Sequence, residues 1–317
     1  MHKIENQTGA LFGDLWPRYG DAEFKHSVEL FARRWLANGE PEDFFQGKTC
    51  LDVVCGGGRY SLAMALLGAE RIVAVDIGEA GLKDAEMRVT AMGFSNVRFQ
   101  VADALNLPFP SGSFDFVCCS GVLHHTKCIE LGLSEIRRIL KLGGSAYLLL
   151  YGSGGLYWPL NLLMRPFAQH VGYDEVDRCC AAAGFSPAKR RTILDDLFVP
   201  LLETYSNERL DCLLKHTGFA SWKRWCKGQS DHEADSISLV RELEERTELW
   251  VAGSKAAHAK YREIELHLAN ICRATVEAAK GVVREFQTGH IGEDEARATI
   301  VGTGHHLLVA KVPGNLA

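Results

Sequence analysis

The sequence lacks the long apolar stretches, the strong net charge and the regular cysteine spacing that mark several classes of protein. No stretch approaches the roughly 18–20 apolar residues needed to cross a bilayer, and the first residues lack the apolar core of a signal peptide. Lys and Arg total 35 against 40 Asp and Glu, a formal net charge of −5. A mildly acidic chain is poorly suited to neutralise phosphates. We therefore expect a soluble protein with no nucleic-acid partner and no stable membrane insertion.

The ten cysteines include no CxxC pair and no spacing that would indicate a disulfide framework or a zinc site. Cys118 and Cys119 lie inside an apolar run, where a thiol behaves as a small hydrophobic side chain. These features predict a reducing, cytoplasmic compartment and no metal.

Residues 50–151 alternate between short apolar strands and helices, a pattern typical of a mostly parallel sheet with helices on both faces. The second half is less regular. Residues 235–286 carry apolar side chains at three- and four-residue steps, which indicates helices, and residues 307–312 predict a last strand. The sequence predicts an α/β fold with a helical insertion in its C-terminal half.

These patterns divide the chain into five predicted segments. They are an N-terminal helical lid (1–47), a ligand-binding core (48–151), a substrate lid with further core elements (152–230), a helical insertion (231–303) and the last strand of the core sheet (304–317).

A glycine-rich loop, Cys55 with Gly56, Gly57 and Gly58, follows the first predicted strand and precedes a helix. Glycine lets the backbone approach a ligand, and the start of a helix presents free N–H groups. By itself this arrangement also fits a degraded dinucleotide fingerprint or a tight turn without a ligand.

Three acidic residues, at three successive strands, indicate which ligand this loop would bind. Asp52 lies on the first strand, where it is badly placed for a pyrophosphate but suits a ligand with an ammonium group. Asp76 ends the second strand, and its oxygens can accept both hydroxyls of a ribose; its alternative role is a helix cap. Asp103 follows the third strand and can accept from an adenine amine, or can simply form a turn. Together the three match the amino-acid end, ribose and adenine of S-adenosylmethionine.

The sequence resembles the class I S-adenosylmethionine-dependent methyltransferases. The resemblance rests on the runs LDVVCGGGR (51–59), VAVDI (73–77), VADA (101–104), FDFV (114–117), SGVLHHT (120–126) and IRRILKLGG (136–144). It implies a Rossmann-like, seven-stranded sheet whose last strand runs antiparallel. It also implies that Asp52 and Gly56 to Gly58 hold the methionine end, Asp76 the ribose, and Asp103 with Ala104 the adenine. The expected cofactor-binding set also contains Cys55, Ile77 and Ser120.

One position departs from the pattern of that family. Val54 stands where the family usually has glycine. A displaced loop and reduced cofactor affinity are the expected consequences.

His124 and His125 follow the fourth strand, at the edge where a transferred methyl group should lie. A neutral imidazole is a reasonable base near pH 7, so both are candidate catalytic residues. The alternative is a pair of partly buried histidines that hydrogen-bond to the backbone.

Four aromatic residues are candidates for the substrate lid. Trp16 and Tyr19 belong to an N-terminal run similar to a segment that folds over the cleft in many such enzymes. Tyr151 and Trp158 lie where the family commonly inserts its substrate lid. All four could instead pack as ordinary core. The helical insertion is expected to cover the active site or to form a homodimer contact; alternatively, its apolar stripe is ordinary core packing.

The sequence predicts a methyltransferase (EC 2.1.1.-) that transfers a methyl group from S-adenosylmethionine to a small-molecule acceptor by in-line displacement. Two alternatives stay open. One is a non-catalytic scaffold with the same fold, which the Val54 departure keeps in view. The other is a nicotinamide-dependent reductase, although no Tyr-x-x-x-Lys follows the fourth strand.

Overall fold

The chain forms two compact units, each built from more than one stretch of sequence. The computed structural model describes residues 20–228, 233–255 and 259–314. The first unit, here the sheet unit, comprises residues 1–151, 200–228 and 305–317. The second, here the helical unit, comprises residues 152–199 and 229–304. Residues 152–199 therefore belong with the later helices.

The sheet unit alternates strands with helices, as the sequence pattern predicts. Its strands are β1 (Thr49–Val53), β2 (Arg71–Asp76), β3 (Val97–Val101), β4 (Phe114–Ser120), β5 (Leu140–Tyr151), β6 (Ser221–Arg224) and β7 (His305–Lys311). Its helices are α1 (Asp21–Ala37), α2 (Arg59–Leu66), α3 (Glu79–Ala91), α4 (Ile129–Ile139) and α8 (Asn207–His216), with a 3-10 turn at Leu123–His125.

The seven strands lie in the order β3-β2-β1-β4-β5-β7-β6. The first five pair in parallel, whereas β7 runs antiparallel between β5 and β6. This confirms the predicted seven-stranded, mostly parallel sheet and its antiparallel last strand. Because parallel strands share one direction, β1 to β4 end at the same edge of the sheet.

Helices cover both faces of the sheet because each face is apolar. On one face, Leu133 and Ile136 of α4 pack with Val117 and Leu148 of the sheet. On the other face, Phe31 and Trp35 of α1 pack with Phe116, Tyr147 and Trp225. The alternation of side chains along a strand sends successive residues to opposite cores, so Phe116 and Val117 face opposite ways.

The helical unit contains α5 (Tyr157–Val171), α6 (Tyr173–Ala182), α7 (Pro187–Phe198), α9 (Ser236–Lys255), α10 (Arg262–Gln287) and α11 (Glu293–Val301). Its main core includes Met164 of α5, Val176 of α6, Leu197 of α7 and Leu268 of α10. The Gly and Pro content of residues 152–166 predicts an irregular segment. In the structure, a helix begins at Tyr157 and continues past Pro166 to Val171. Among the described residues, no helix is both long and apolar enough to span a membrane.

Candidate active site

The candidate site lies where β1 to β4 end, because most of the predicted ligand-binding residues lie at the ends of those strands or in the loops that follow. A backbone hydrogen bond from Cys55 to the Val75 carbonyl, 2.9 Å long, ties the loop after β1 to the end of β2. Cys55, Gly56, Gly57 and Gly58 are all buried.

The glycine-rich loop turns by taking left-handed backbone conformations. Gly56 has φ 52° and Gly58 has φ 78°. A Cβ at Gly58 would lie 3.0 Å from the Cβ of Ala85 on α3. Glycine at position 58 therefore serves close packing of the loop against α3 as well as the turn into α2.

Val54 is the one non-glycine residue with a positive φ, 58°, among the described residues. A β-branched side chain is an outlier in the left-handed region, because its Cβ crowds the backbone. Its side chain is partly buried against the core. Valine at this position therefore raises the energy of its own backbone conformation. A displaced loop and a reduced affinity for the cofactor stay predictions.

Asp52 is a buried carboxyl group on β1. Its side chain is 1% exposed and accepts a 2.6 Å hydrogen bond from the Ser61 hydroxyl on α2. Burial raises the pKa of Asp52 to about 7, and the nearby Asp76 carboxylate adds to that rise. The bond from Ser61 acts in the opposite direction because it favours the charged form.

Asp76, at the end of β2, links the loop after β1 to the loop after β2 through hydrogen bonds to its carboxylate. One carboxylate oxygen accepts from the Gly56 N–H and the other from the Gly78 N–H, both at 2.9 Å. Burial raises the pKa of Asp76, and the bonds from Gly78, Gly56 and Ile77 partly oppose that rise. Each oxygen keeps a lone pair that can accept from a ligand. Gly78, rather than Asp76, caps α3.

The charges at this edge fit an amino-acid nucleoside better than a dinucleotide. In a dinucleotide site the glycine-loop N–H groups contact a pyrophosphate. Here the Gly56 N–H already donates to the Asp76 carboxylate, so a phosphate would meet a buried negative charge. A ligand with an ammonium group and ribose hydroxyls offers donors to the same acids. The residues present therefore fit S-adenosylmethionine.

Asp103 and Ala104 follow β3 in a tight turn. One Asp103 carboxylate oxygen accepts from the Leu105 N–H at 2.8 Å, and its carbonyl accepts from the Asn106 N–H at 3.0 Å. Ala104 is buried. The observed hydrogen bonds of Asp103 are thus those of a turn-forming residue, the alternative given above. Its carboxylate still has lone pairs that can accept a hydrogen bond from a ligand.

His124 is fully buried, and neither ring nitrogen has a hydrogen-bond partner among the described residues. Its ring stacks on Tyr151, with centroids 3.9 Å apart and planes at 25°. Burial lowers the pKa of His124 well below its ordinary value, and His125 and His305 lower it further. The imidazole is therefore neutral at physiological pH.

His125 differs from its neighbour, because its Nδ1 lies 2.9 Å from the Leu201 carbonyl oxygen. A carbonyl can only accept, so Nδ1 carries the proton. This is the backbone-bonded arrangement given above as the alternative to a catalytic role.

The remaining predicted site residues lie in three places. Ser120 and Ile77 are partly exposed in the sheet unit, and the Ser120 hydroxyl donates to the Tyr60 hydroxyl at 2.8 Å. Trp158 is 2% exposed in the helical unit. Trp16 and Tyr19 lie outside the described residues.

Sequence reasoning missed three residues that shape the site. Ser61 bonds Asp52, Tyr60 accepts from Ser120, and His305 packs edge-on to Tyr151 at 5.1 Å. Ser61 could have been found from its place in the first turn after the glycine loop. His305 could not, because it is 154 residues from Tyr151 in the chain and the two meet only through the pairing of β5 with β7. In the described part of the chain, no group of three or more His, Cys, Asp or Glu could hold a metal ion.

The chain is similar to known methyltransferases. A family model described as a methyltransferase domain matches residues 51–148. The chain is 32% identical over 167 residues to a demethylmenaquinone methyltransferase of Geobacillus stearothermophilus, covering 44% of this chain and 71% of that protein. It is 30% identical over 203 residues to a ubiquinone biosynthesis O-methyltransferase of Azotobacter vinelandii, covering 59% and 85%.

A third relative, a ubiquinone biosynthesis O-methyltransferase of Thiobacillus denitrificans, is 32% identical over 201 residues, covering 58% of this chain and 84% of that protein. These relatives give no support to the reductase alternative. The matched residues contain the glycine loop and the three acids Asp52, Asp76 and Asp103. The chain belongs to the class I S-adenosylmethionine-dependent methyltransferases.

Proposed function

We propose that the chain binds S-adenosylmethionine where β1 to β3 end and transfers its methyl group to a phenolic hydroxyl of a small quinol-like or catechol-like acceptor. The observation that carries the proposal is the pair of buried carboxyl groups, Asp52 and Asp76, beside the glycine-rich loop. The names of the relatives, which refer to demethylmenaquinone and to O-methylation in ubiquinone biosynthesis, support the choice of acceptor.

Each acid has its own proposed contact with the cofactor. Asp52 attracts the ammonium group of the methionine end, Asp76 accepts from the ribose hydroxyls, and Asp103 with the Ala104 backbone meets the adenine. When bound, S-adenosylmethionine supplies a methyl group on a positively charged sulfur. The protein has to align the acceptor oxygen with that carbon and remove the hydroxyl proton.

His124 is the proposed base for that proton. Its buried imidazole is neutral, and a nitrogen without a partner can accept a hydrogen bond from the acceptor hydroxyl. A phenol ionises near pH 10, as tyrosine does, and loses its proton far more readily than an aliphatic alcohol. Burial weakens His124 as a base by lowering its pKa, so a phenol is a more suitable acceptor than an aliphatic alcohol, because it gives up its proton to a weaker base. His125 is the second candidate, with Nε2 as the accepting nitrogen.

The lid residues Trp16, Tyr19 and Trp158 and the helical unit complete the proposal. We infer that they cover the acceptor, with a homodimer contact through residues 231–303 as the alternative. Sedimentation of the purified chain distinguishes a homodimer contact from a cover over the acceptor. Only a dimer contact makes the measured mass depend on protein concentration.

Substitution of Asp76 tests the cofactor assignment. We expect Asp76→Ala to weaken binding of S-adenosylhomocysteine about 10- to 150-fold, because a hydrogen bond to a charged group contributes about 1.5–3 kcal/mol. Calorimetry measures the affinity. The matched control is Asp211→Ala, which removes an acid of a surface ion pair with Arg224 and should leave binding unchanged. Equal affinities of wild type and Asp76→Ala would contradict the assignment.

An acceptor panel tests the reaction itself. The purified chain is incubated with labelled S-adenosylmethionine and a short-chain hydroquinone, a catechol, a sugar and a primary amine. We expect label only on the first two. Binding of S-adenosylhomocysteine without transfer to any acceptor supports the non-catalytic scaffold, and transfer to the amine or the sugar contradicts the phenolic class.

A further inference from the structure

The side chains around His124 form a cluster of four rings from three different elements. His124 and His125 come from the 3-10 turn, Tyr151 from the end of β5 and His305 from the start of β7. Tyr151 stacks on His124 at 3.9 Å, and His125 meets His124 at 4.0 Å and Tyr151 at 5.4 Å, both edge-on. His124 is therefore held by ring contacts on two sides.

Tyr151 is itself held firmly by the sheet. It pairs with His305 in the β5–β7 ladder, and the His305 ring packs at 88° against it. The Tyr151 carbonyl accepts a 3.1 Å hydrogen bond from the Tyr205 N–H. Because these contacts fix the backbone and the ring, the plane of the His124 imidazole is fixed in turn.

The stack with Tyr151 also affects the stability of the protonated, positively charged form of His124. Burial, His125 and His305 all disfavour a protonated His124, and no carboxylate opposes them among the groups that shift it. A tyrosine ring has a negative face that attracts a cation. Of the two rings that contact His124 in the described part of the chain, His125 and Tyr151, it is Tyr151 that favours the charged form.

We propose that Tyr151 is a positioning residue for His124: its ring fixes the imidazole plane and stabilises the imidazolium that forms during methyl transfer. The proposal rests on the proposed function. In the step, the acceptor hydroxyl gives its proton to the unprotonated ring nitrogen of His124, and the oxygen electron pair forms the new bond to the methyl carbon. The bond from carbon to sulfur breaks, its electron pair stays on sulfur, and His124 later releases the proton to water. Tyr151 thus acts through His124, a different role from the acceptor contact expected from the sequence.

The first test compares Tyr151→Phe, which keeps the ring, with Tyr151→Leu, which keeps apolar bulk without it. The short-chain hydroquinone is the probe. We expect Tyr151→Phe to retain kcat within about threefold and Tyr151→Leu to lose about 30-fold, because a cation over an aromatic ring in a buried site is worth about 2 kcal/mol. The KM for the hydroquinone and the affinity for S-adenosylhomocysteine should change little in either variant.

Other outcomes overturn the proposal. An unchanged kcat in Tyr151→Leu excludes positioning. A raised KM, or an equal loss in both variants, assigns Tyr151 to the acceptor through its hydroxyl. A wild type that binds S-adenosylhomocysteine but methylates nothing overturns the proposed function, and the role of Tyr151 with it.

A second measurement needs no folded Leu variant and no acceptor. The imidazole C–H resonances of His124, assigned by comparison with His124→Gln, should be shifted upfield by the stacked ring in wild type and in Tyr151→Phe. Resonances at ordinary positions in wild type would show that the stack is absent in solution and overturn the proposal. Thermal unfolding of each variant separates a loss of fold from a loss of kcat.

Discussion

Val54 shows how one side chain can oppose the local fold that its neighbours require. The turn after β1 needs a left-handed residue, and the chain supplies valine at φ 58°. Such conformations persist only where the surroundings enforce them, and they concentrate at ligand sites. Here the Cys55 bond to Val75 and the partly buried valine side chain hold the turn.

The first residue-scale prediction compares glycine and alanine at two adjacent positions. We expect Val54→Gly to be more stable than Val54→Ala by about 1–2 kcal/mol, because alanine keeps the left-handed penalty and glycine does not. At Val53, the last residue of strand β1, the order should reverse, with alanine better by about 0.5–1 kcal/mol. Urea unfolding of the four variants measures the differences. The same order at both positions would contradict the strain at Val54.

Asp52 leads to a prediction about pH. Its raised pKa, about 7, means that the carboxyl is mostly protonated at pH 5.5 and increasingly charged above pH 7. Only the charged form attracts an ammonium group, so affinity for S-adenosylhomocysteine should rise by tenfold or more between pH 5.5 and 7.5. This range lies below the pKa of an α-amino group, about 7.7–8.0.

Calorimetry at intervals of half a pH unit measures this dependence. Asp52→Asn should bind more weakly at pH 7.5 and show a smaller rise of affinity with pH. An identical pH dependence in both proteins would exclude Asp52 as its source.

The helix α10 shows that an amphipathic stripe can serve as core. The helical pattern at residues 235–286 was compatible with core packing, with a cover over the site or with a dimer contact. Leu268 on that stripe is 0% exposed, whereas Leu266, two residues earlier, is 51% exposed. A two-residue step turns a side chain by about 200° around the helix, so neighbours of the same type face opposite environments.

The element-scale prediction uses this pair of leucines. We expect Leu268→Ala to lower the free energy of unfolding of the helical unit by about 2–5 kcal/mol, because it leaves a cavity in a packed core. Leu266→Ala should change it by about 0.5 kcal/mol or less. Hydrogen exchange of α10 amides measures both. Similar losses in the two variants would mean that the exposed face is covered in solution.

At the scale of the whole molecule, the chain first enters the helical unit after Tyr151, returns to the sheet unit for residues 200–228, and leaves the helical unit for the last time before His305. Just inside the helical unit, the two stretches that begin and end it lie side by side. The Thr303 N–H donates to the Ser153 carbonyl at 2.9 Å, and the Ser153 N–H donates to the Thr303 hydroxyl at 2.8 Å. A Cβ at Gly152 would overlap the Gly304 carbonyl oxygen. Glycine is therefore required here for the approach of two backbones.

The prediction at this scale is that Gly152→Ala lowers the free energy of unfolding by about 3 kcal/mol, because the backbones must separate. The control is Gly281→Ala inside α10, where the added Cβ meets no heavy atom closer than 3.8 Å. That variant should be more stable by about 0.5–1 kcal/mol, since alanine favours a helix. Thermal unfolding measures both. A tolerated Gly152→Ala would mean that the two stretches are not packed this closely in solution.

The sequence by itself determined the alternation of strands and helices over residues 50–151 and the acids at the carboxyl edge of the sheet, whereas the seven strands and the antiparallel last strand were implied by the resemblance to the methyltransferases. The alternation and the place of the acids follow from local periodicity and from the rule that parallel strands end together, so Asp52, Asp76 and Asp103 could be named without coordinates. The roles of those acids toward the cofactor stay predictions.

The tertiary structure alone decided three further features: the left-handed conformation of Val54, the assignment of residues 152–199 to the helical unit, and the ring stack that leaves both nitrogens of His124 without a partner in the described residues. The physical reason is that each depends on groups distant in sequence. The pairing of β5 with β7 brings His305 to Tyr151, and burial by the surrounding elements, rather than any local motif, keeps His124 neutral.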